Sequence, residues 1–495
     1  MNVSRPVAAP RPSAAAILLR GSGEGLQVYW ALRSDVVSYM PGFRGFVGGS
    51  VDPGDESLEV AGLTGDDRVL RACAIREAFE ETGVLLGTRE PVAAATLDEA
   101  RRRLLAGEAS FGELAREHGW RFDGAGLAFA GRWVTPPFAP RRFETAFYVA
   151  RVPAGQEPTV RVGELESGEW VRPIDALRRW QQGYETFAAP ILYTLIGLAH
   201  GDEGIAERLA EAPEAAAAPV RRIELKWGIV LQPMKTRPLP PATHTNAYLV
   251  GEPEMALIDP GSGEPEELER LFELIGMLED DRRRLAIVLL THHHPDHVGG
   301  LAAVRERYPK VRVAAHAETA RHVAVDLVLG DGDWIPLVPG VGDWSLQAIH
   351  TPGHTRGHLC FLHPRTRSLF SGDTVVGGTG TVIIDPPEGD MADYIASLRR
   401  LLEHPVETLF PGHGGPQGAA RKRIAALLAH REAREARVLA ALGAEPRSIP
   451  ALLERVYDDT PRELWPYAER SLLAHLLKLE REGRARAGDG RWSAA

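Results

Sequence analysis

The stretch "LAIVLLTHHHPDHVGG", residues 285–300, decides the fold of the second half of the chain. An apolar run that reads as a buried strand is followed at once by four histidines and an aspartate. At an extended strand end His292 and His294, two positions apart, point to the same side; Asp296 and His297 follow across a proline. Neutral imidazoles suit zinc and related metals, and a carboxylate adds the charge that holds a second ion. These residues do not complete such a site, so further ligands are expected elsewhere in the chain.

Downstream, "HTPGHTRGH" (350–358) supplies His354 in a Gly-flanked loop, "LFSGDTVVG" (369–377) supplies Asp373, and "LFPGHGGP" (409–416) supplies His413. Each candidate sits just past a strand-like run and precedes a small residue or a glycine. Strand ends with short loops converge on one edge of a rigid scaffold, where functional residues generally lie. The set divides into His292, His294 and His354 for one metal and Asp296, His297 and His413 for a second, with Asp373 able to bridge. His293 falls outside this pattern and reads as an ordinary histidine.

At 495 residues the chain exceeds what one hydrophobic core supports, so two or three domains are expected. Hydrophobic residues at 44% and charged residues at 25% are ordinary for a soluble globular protein. A formal net charge of −10 argues against bulk electrostatic capture of nucleic acid. The two cysteines, Cys73 and Cys360, lie in apolar segments and indicate neither a disulfide framework nor a thiolate site. The first residues carry prolines and arginines where a secretory signal needs an apolar core, and "APILYTLIGLAH" (189–200) is too short to span a membrane. A cytoplasmic protein with a long disordered leader of several residues and no membrane association is therefore expected.

Residues 201–220, rich in alanine, glutamate and proline, have linker composition with a helical part. Before them lie strand-like runs ("AAAILLR", "LQVYWALR", "TAFYVARV", "GEWVRP") and a charged helix around residue 77; after them strands and helices alternate, which implies layered α/β architecture. Beyond about 420 the pattern is helical. The expected division is 1–200, a linker at 201–220, 221–430 and 431–495.

The order of the motifs, H-x-H-x-D-H, then the G-H-T loop, S-G-D-T and P-G-H-G, resembles the metallo-β-lactamase superfamily over about residues 222–430. "ALIDPG" (256–261) resembles its first motif, in which the carboxylate, here Asp259, orients the ligand loop. The resemblance implies an αββα sandwich and two Zn2+ ions, with Mn2+ or Fe as alternatives, that ionise a shared water for hydrolysis of an ester, thioester or phosphodiester. Asp296 would also orient that water, and Asn246 and Thr355 would contact substrate. "THTNAYLVG" (243–251) and the tail from Arg447 are similar to the endoribonuclease and thioesterase branch of the superfamily, which carries a C-terminal winged helix. Arg484, Arg486 and Arg491 near its hairpin suit either a phosphate-contacting wall or a solvated basic surface.

The second informative stretch is "REAFEETGV", residues 76–84. On a helix Glu77, Glu80 and Glu81 share one face and repel one another unless a hard cation, Mg2+ or Mn2+, joins them. With the preceding glycine-rich "GFVGGSVDPGDES" (45–57), this stretch resembles the Nudix box. That implies an α/β/α sandwich that cleaves nucleoside diphosphate derivatives, with Glu77, Glu80 and Glu81 binding the ions or acting as base. It also implies a carbonyl near Gly48 or Gly49 at the metal and Arg76 paired with Asp55 or Glu56. Asp55 stands where the family pattern has glutamate, and twenty residues, 56–75, intervene before Arg76 where that pattern has about seven; the insertion lengthens the loop and helix start, with "TGDDRVLRACAI" reading as a helical lead-in. A comparable insertion, with wording like "VTPPFAPRRFETAFYVARVPAGQ" and "GEWVRPIDALRRW", makes the domain similar to coenzyme A diphosphatases.

The expected protein is thus an α/β multidomain, bifunctional metal-dependent hydrolase acting on small nucleotide, coenzyme A-type or acyl substrates. The alternative is a metallo-β-lactamase-fold endoribonuclease acting on single-stranded RNA, its Nudix domain serving only as a nucleotide sensor.

Overall fold

The strand Arg11–Arg20 is buried along almost its whole length because both of its faces are covered. Ala14, Ala16 and Leu18 enter one apolar cluster; Ala15, Ile17 and Leu19 enter another. It runs parallel to Phe143–Arg151 and antiparallel to Val47–Ser50 and Gln27–Arg33, while Leu127–Val134 and Leu165–Val171 extend the sheet. The helix Gly65–Thr82 covers the first face through Leu70, Ala74, Ile75 and Phe79. Helices Pro173–Gln181, Ala189–Ala199 and Ile205–Ala210 cover the second through Trp180, Leu195 and Leu209. The result is an α/β/α sandwich.

In this computed structural model residues 9–37, 39–136, 139, 141–161, 163–211, 221–238, 242–337, 344–378 and 380–495 are described. The leader at residues 1–8 and the second part of the expected linker, 212–220, lie outside them. The chain divides into two units, Met1–Trp227 and Gly228–Ala495. The start of the expected linker is a helix, Ile205–Ala210, whose Ile205 and Leu209 pack in the first unit.

In the second unit six strands follow the order Ile229–Lys235, His244–Val250, Glu254–Ile258, Arg284–Leu289, Arg312–His316 and Leu327–Leu329. Helix Pro265–Asp280 packs on this sheet through Leu271, Leu274, Ile275 and Leu278. A five-stranded sheet runs Trp334–Pro336, Ser345–His350, Leu359–His363, Ser368–Gly372 and Thr408–Pro411. Helices Met391–Leu401 and Ala420–Ala441 cover it. Tyr248 of the first sheet meets Phe370 and Phe410 of the second at ring-centroid distances of 5.3 and 5.6 Å, which joins the sheets face to face in an αββα sandwich.

The expected boundary at 430/431 falls inside the helix Ala420–Ala441, because that helix serves two cores. Its Ile424 and Leu427 pack against the sandwich. Val438 and Ala441 pack against helices Ile449–Val456 and Trp465–Arg481 and the hairpin strands Ala485–Gly488 and Arg491–Ala494, the winged-helix part.

Candidate metal centres

The strands of the sandwich bring every expected ligand of the second unit to one edge. His292 and His294 follow the strand Arg284–Leu289, His354 follows Ser345–His350, Asp373 follows Ser368–Gly372 and His413 follows Thr408–Pro411. Donor atoms of His292, His294 and His354 lie within 4.8 Å of one another, as do those of Asp296, His297 and His413, and those of His292, His297 and Asp373. Asp373 Oδ1 is 3.4 Å from both His297 Nε2 and His413 Nε2, and its Oδ2 is 3.7 Å from His354 Nε2. Asp373 therefore stands between the two histidine groups.

The outward nitrogens of most of these rings are spent on the protein. His354 Nδ1 donates to the Ile383 carbonyl at 2.9 Å and His413 Nδ1 to the His244 carbonyl at 2.9 Å. His297 Nδ1 meets Asp259 Oδ2 at 2.8 Å, and His292 Nδ1 lies 3.0 Å from Thr291 Oγ1. Such partners fix the tautomer and aim the second nitrogen at the metal. Asp259 also accepts from the Thr291 amide and hydroxyl at 2.8 and 2.6 Å, so one carboxylate orients the start of the ligand loop and one ligand ring. It holds φ at 52°, a left-handed conformation that aspartate tolerates better than most residues.

These residues fit a pair of divalent ions. His292 Nε2 and Asp373 Oδ1 are buried and have no hydrogen-bond partner. His297 Nε2 faces His413 Nε2 at 3.3 Å. With both Nδ1 atoms committed as donors, two lone pairs would confront each other there unless a cation or a proton lies between them. Burial, reinforced by His297 and its other neighbours, drives His292 well below the usual imidazole range. Burial and the adjacent His354 lower His294 to about 3, so both are neutral, the ligating form. Burial opposes charge on His413, but Asp373 and Asp296 overcome it and push the pKa up to about 10. Protons hold this half of the cluster together when metal is absent, and binding must release them.

In the first unit, helix Gly65–Thr82 carries the glutamates and begins just after Thr64, so the insertion includes the expected helical lead-in. Arg76 forks onto Asp55, with Nε to Oδ1 at 2.8 Å and Nη2 to Oδ2 at 3.0 Å. Asp55, not Glu56, is thus the anchor, and it is buried. Arg76 Nη1 also reaches Glu77 Oε1 at 2.8 Å and Glu80 Oε2 at 3.2 Å. Glu81 Oε2 accepts the Gly48 amide at 2.8 Å. Burial raises Glu77 to about 7 despite Arg76, and burial together with Glu77 raises Glu81 well above the carboxylate range. Buried oxygen donors that resist ionisation alone suit a hard cation. Among the described residues the three carboxylates do not close into one set within 4.8 Å, because Arg76 draws two of them and Gly48 the third. A Cβ on Gly49 would lie 2.3 Å from Glu77 Oε1, so only glycine lets this carboxylate sit against the turn.

Two other expected site residues are placed differently from the ligands. Asn246 Nδ2 donates to the carbonyls of Pro411 and Gly414 at 2.9 and 2.7 Å, bracing the loop that bears His413. Thr355 is fully buried and its Oγ1 has no partner. His293 stacks on His322 at 3.9 Å and lies 3.3 Å from Glu388, and its donor atom falls within 4.8 Å of those of His294 and Glu388 but in no group with Asp373. Sequence reasoning missed His358. This buried ring accepts the Asp373 amide on Nε2 at 3.0 Å and faces the hydroxyls of Thr351 and Thr374 at 3.0 and 3.1 Å. Its signal was the second histidine of "GHTRGH".

Residues 240–413 match the metallo-beta-lactamase superfamily. Over 253 residues the chain is 30% identical to the "Beta-lactamase-like protein 2 homolog" of Drosophila melanogaster, covering 49% of this chain and 84% of that protein. The chain belongs to the metallo-β-lactamase superfamily. Residues 448–492 match the beta-lactamase associated winged helix domain and residues 59–198 the NUDT19 Nudix domain, so this superfamily member joins its metallo-β-lactamase-fold domain to a Nudix domain. It is also 30% identical over 263 residues to the "Atrochrysone carboxyl ACP thioesterase" of Claviceps purpurea (strain 20.1), covering 50% of the chain and 80% of the relative. A solved NUDIX hydrolase from Alicyclobacillus acidocaldarius is 28% identical, with a TM-score of 0.38, and covers 42% of this chain and 100% of its own. The two domains make the protein a hydrolase, and both folds imply divalent metals. Among the described residues no helix is long and apolar enough to cross a membrane.

Proposed function

We propose that the metallo-β-lactamase unit is a dinuclear thioesterase for acyl groups carried on coenzyme A or a carrier protein, and that the Nudix unit hydrolyses a diphosphate such as that of coenzyme A. The observation that carries the first half is the convergence of six ligand side chains around Asp373 in a chain related to a named acyl-carrier thioesterase. His292, His294 and His354 would hold one ion, and Asp296, His297 and His413 the other. Two such ions, zinc by the mixed imidazole and carboxylate donor set, would supply a water ionised near neutral pH and would polarise the oxygen under attack. Asp373 spaces the two ligand groups, and His358 fixes Asp373 through its amide. Asp296, with 20% of its side chain exposed, stands at the open side and accepts the proton of the attacking water. Oxygen then bonds to the acyl carbon, the carbon–sulfur bond breaks, and the thiol leaves with a proton.

In the Nudix unit Glu77 and Glu81 would hold Mg2+ or Mn2+ against the Gly48–Gly49 turn, with Glu80 as third ligand once it leaves Arg76. Water adds to one phosphorus, and the bridging oxygen leaves with the second phosphate. We assign residues 1–200 to this activity and the sandwich at 221–430 to the thioesterase. The test is to incubate the full chain with acyl-coenzyme A, coenzyme A and labelled single-stranded RNA beside Asp373→Ala and Glu80→Gln. Thiol release lost only in Asp373→Ala, and magnesium-dependent phosphate products lost only in Glu80→Gln, are the expected results. RNA cleavage without thiol release would overturn the thioesterase reading.

A further inference from the structure

The segment that leaves Asp373 and runs to the helix Met391–Leu401 is gripped by arginines of two C-terminal helices. From helix Ala420–Ala441, Arg423 Nε and Nη2 each lie 3.3 Å from the Val376 carbonyl, and Nη2 also donates to the Gly380 carbonyl. Arg431 of the same helix donates to the Val382 carbonyl. From helix Trp465–Arg481, Arg470 pairs with Asp385, and Arg481 pairs with Asp390 at 2.6 Å. Ala474 of that helix packs in the same apolar cluster as Val382 and Ile384.

The gripped segment touches His354 from both sides. The Ile383 carbonyl, next to Val382, takes the His354 Nδ1 hydrogen at 2.9 Å. The Asp390 amide donates to the Gly353 carbonyl at 2.8 Å, one residue before His354. Arg431 is the centre of the grip. It is 2% exposed, its guanidinium lies 5.3 Å over the ring of Tyr394, and the Tyr394 hydroxyl donates to the Thr374 carbonyl at 2.8 Å. Among the described residues no carboxylate pairs with it, so its buried charge is spent on a backbone carbonyl and an aromatic face. A guanidinium is desolvated at considerable cost, and the single N–H bond from Nη2 to the Val382 carbonyl is one an apolar side chain cannot supply, while Nε is buried without a partner.

We infer that Arg431, supported by Arg423, Arg470 and Arg481, is a positioning residue that sets the orientation of His354, which makes the C-terminal helices part of the metal centre. Without the grip the Ile383 carbonyl is free to move, the His354 ring loses its fixed tautomer, and the metal held with His292 and His294 is bound more weakly. The inference rests on the reading of His354 as a ligand.

The experiment uses the full-length chain, stripped of metal and titrated with Co2+ against a chromophoric chelator, with the visible spectrum of bound Co2+ recorded. Arg431→Met is expected to weaken one of the two ions about ten-fold, as loss of a group supporting a ligand does, and to shift the Co2+ spectrum. Arg431→Lys, which keeps the charge but not the planar guanidinium over Tyr394, falls between. Because Arg431→Met strains the core, the exposed pair provides the second decision. Arg470→Glu sets two acidic side chains against each other and weakens the same ion, and adding Asp385→Arg restores it. Arg399→Glu, which breaks an exposed pair with Glu432 outside the segment, leaves affinity and spectrum unchanged. Wild-type affinity and spectrum in both Arg431→Met and Arg470→Glu, with affinity lost in His354→Ala, would overturn the inference alone. Wild-type behaviour of His354→Ala would remove the ligand reading and the inference with it.

Discussion

Glu77 gives a quantitative handle on the Nudix site. Its side chain is 12% exposed, and burial lifts its pKa from 4.5 to about 7 in the absence of metal. A raised carboxyl pKa means that the stability associated with the protonated form is fully present below pH 4.5 and is lost as pH climbs through about 7. The difference between those two values, at 1.36 kcal/mol per unit, is about 3 kcal/mol against the ionised fold at pH 8. Glu77→Gln cannot ionise and escapes this cost, at the expense of one bond from Arg76, which keeps Asp55 and Glu80.

The assay is hydrogen exchange in peptides covering Gly65–Thr82, corrected for intrinsic rates, in chelator and then with Mn2+. At pH 8 in chelator the variant should be better protected by up to about 3 kcal/mol of opening free energy, and near pH 5 the two proteins should converge. Mn2+ should raise protection in the wild type and do little for the variant. Equal protection at pH 8 in chelator, or equal stabilisation by Mn2+ in both, would refute the claim that this helix face is built around a cation.

Asp259→Asn removes the acceptor shared by Thr291 and His297; metal at the His297 side should weaken about 10–100-fold, read by chelator competition, with the fold retained by circular dichroism. Gly49→Ala drives a methyl into Glu77 and should cost about 1–3 kcal/mol in denaturant unfolding while abolishing magnesium-dependent turnover and sparing thiol release. Asn246→Ala strands the Gly414 carbonyl and leaves the Pro411 carbonyl only the Tyr248 hydroxyl, and should destabilise the second unit by about 1–3 kcal/mol, with Co2+ affinity at the His413 side falling as well.

The clustering of the candidate ligands was legible because metal chemistry restricts residue type and spacing: packing alone gives no reason to crowd His292, His294, Asp296 and His297 after a strand. Asp259 and Asp55 were legible through the motifs that resemble known families. The groups that aim the ligands were not. Ile383 and His244 contribute backbone carbonyls, which carry no residue signature, and Arg431 looks in sequence like one more charge on an amphipathic helix. Asn246 was expected to contact substrate; its amide donates to the chain at Pro411 and Gly414, and nothing in its identity told whether it faces the cleft or the chain. The continuity of helix Ala420–Ala441 across the expected boundary at 430/431 was hidden because the helix keeps its apolar spacing while changing the core it serves.

The two sites solve the same electrostatic problem with different reserves. In the sandwich, imidazoles can be neutral, as His292 and His294 are, or take up protons, as His413 does beside Asp373, so the cluster stays buried and assembled without its ions. Glutamates have only one way to shed charge, and for Glu77 that requires a pH near or below about 7. Arg76 therefore serves as the internal counter-charge, and drawing Glu77 and Glu80 toward it is why the three carboxylates do not converge. A cation entering the Nudix site has to compete with that guanidinium, whereas one entering the sandwich has to displace protons. Lowering the pH from 8 to 6 should accordingly weaken metal binding at the His413 side by proton competition.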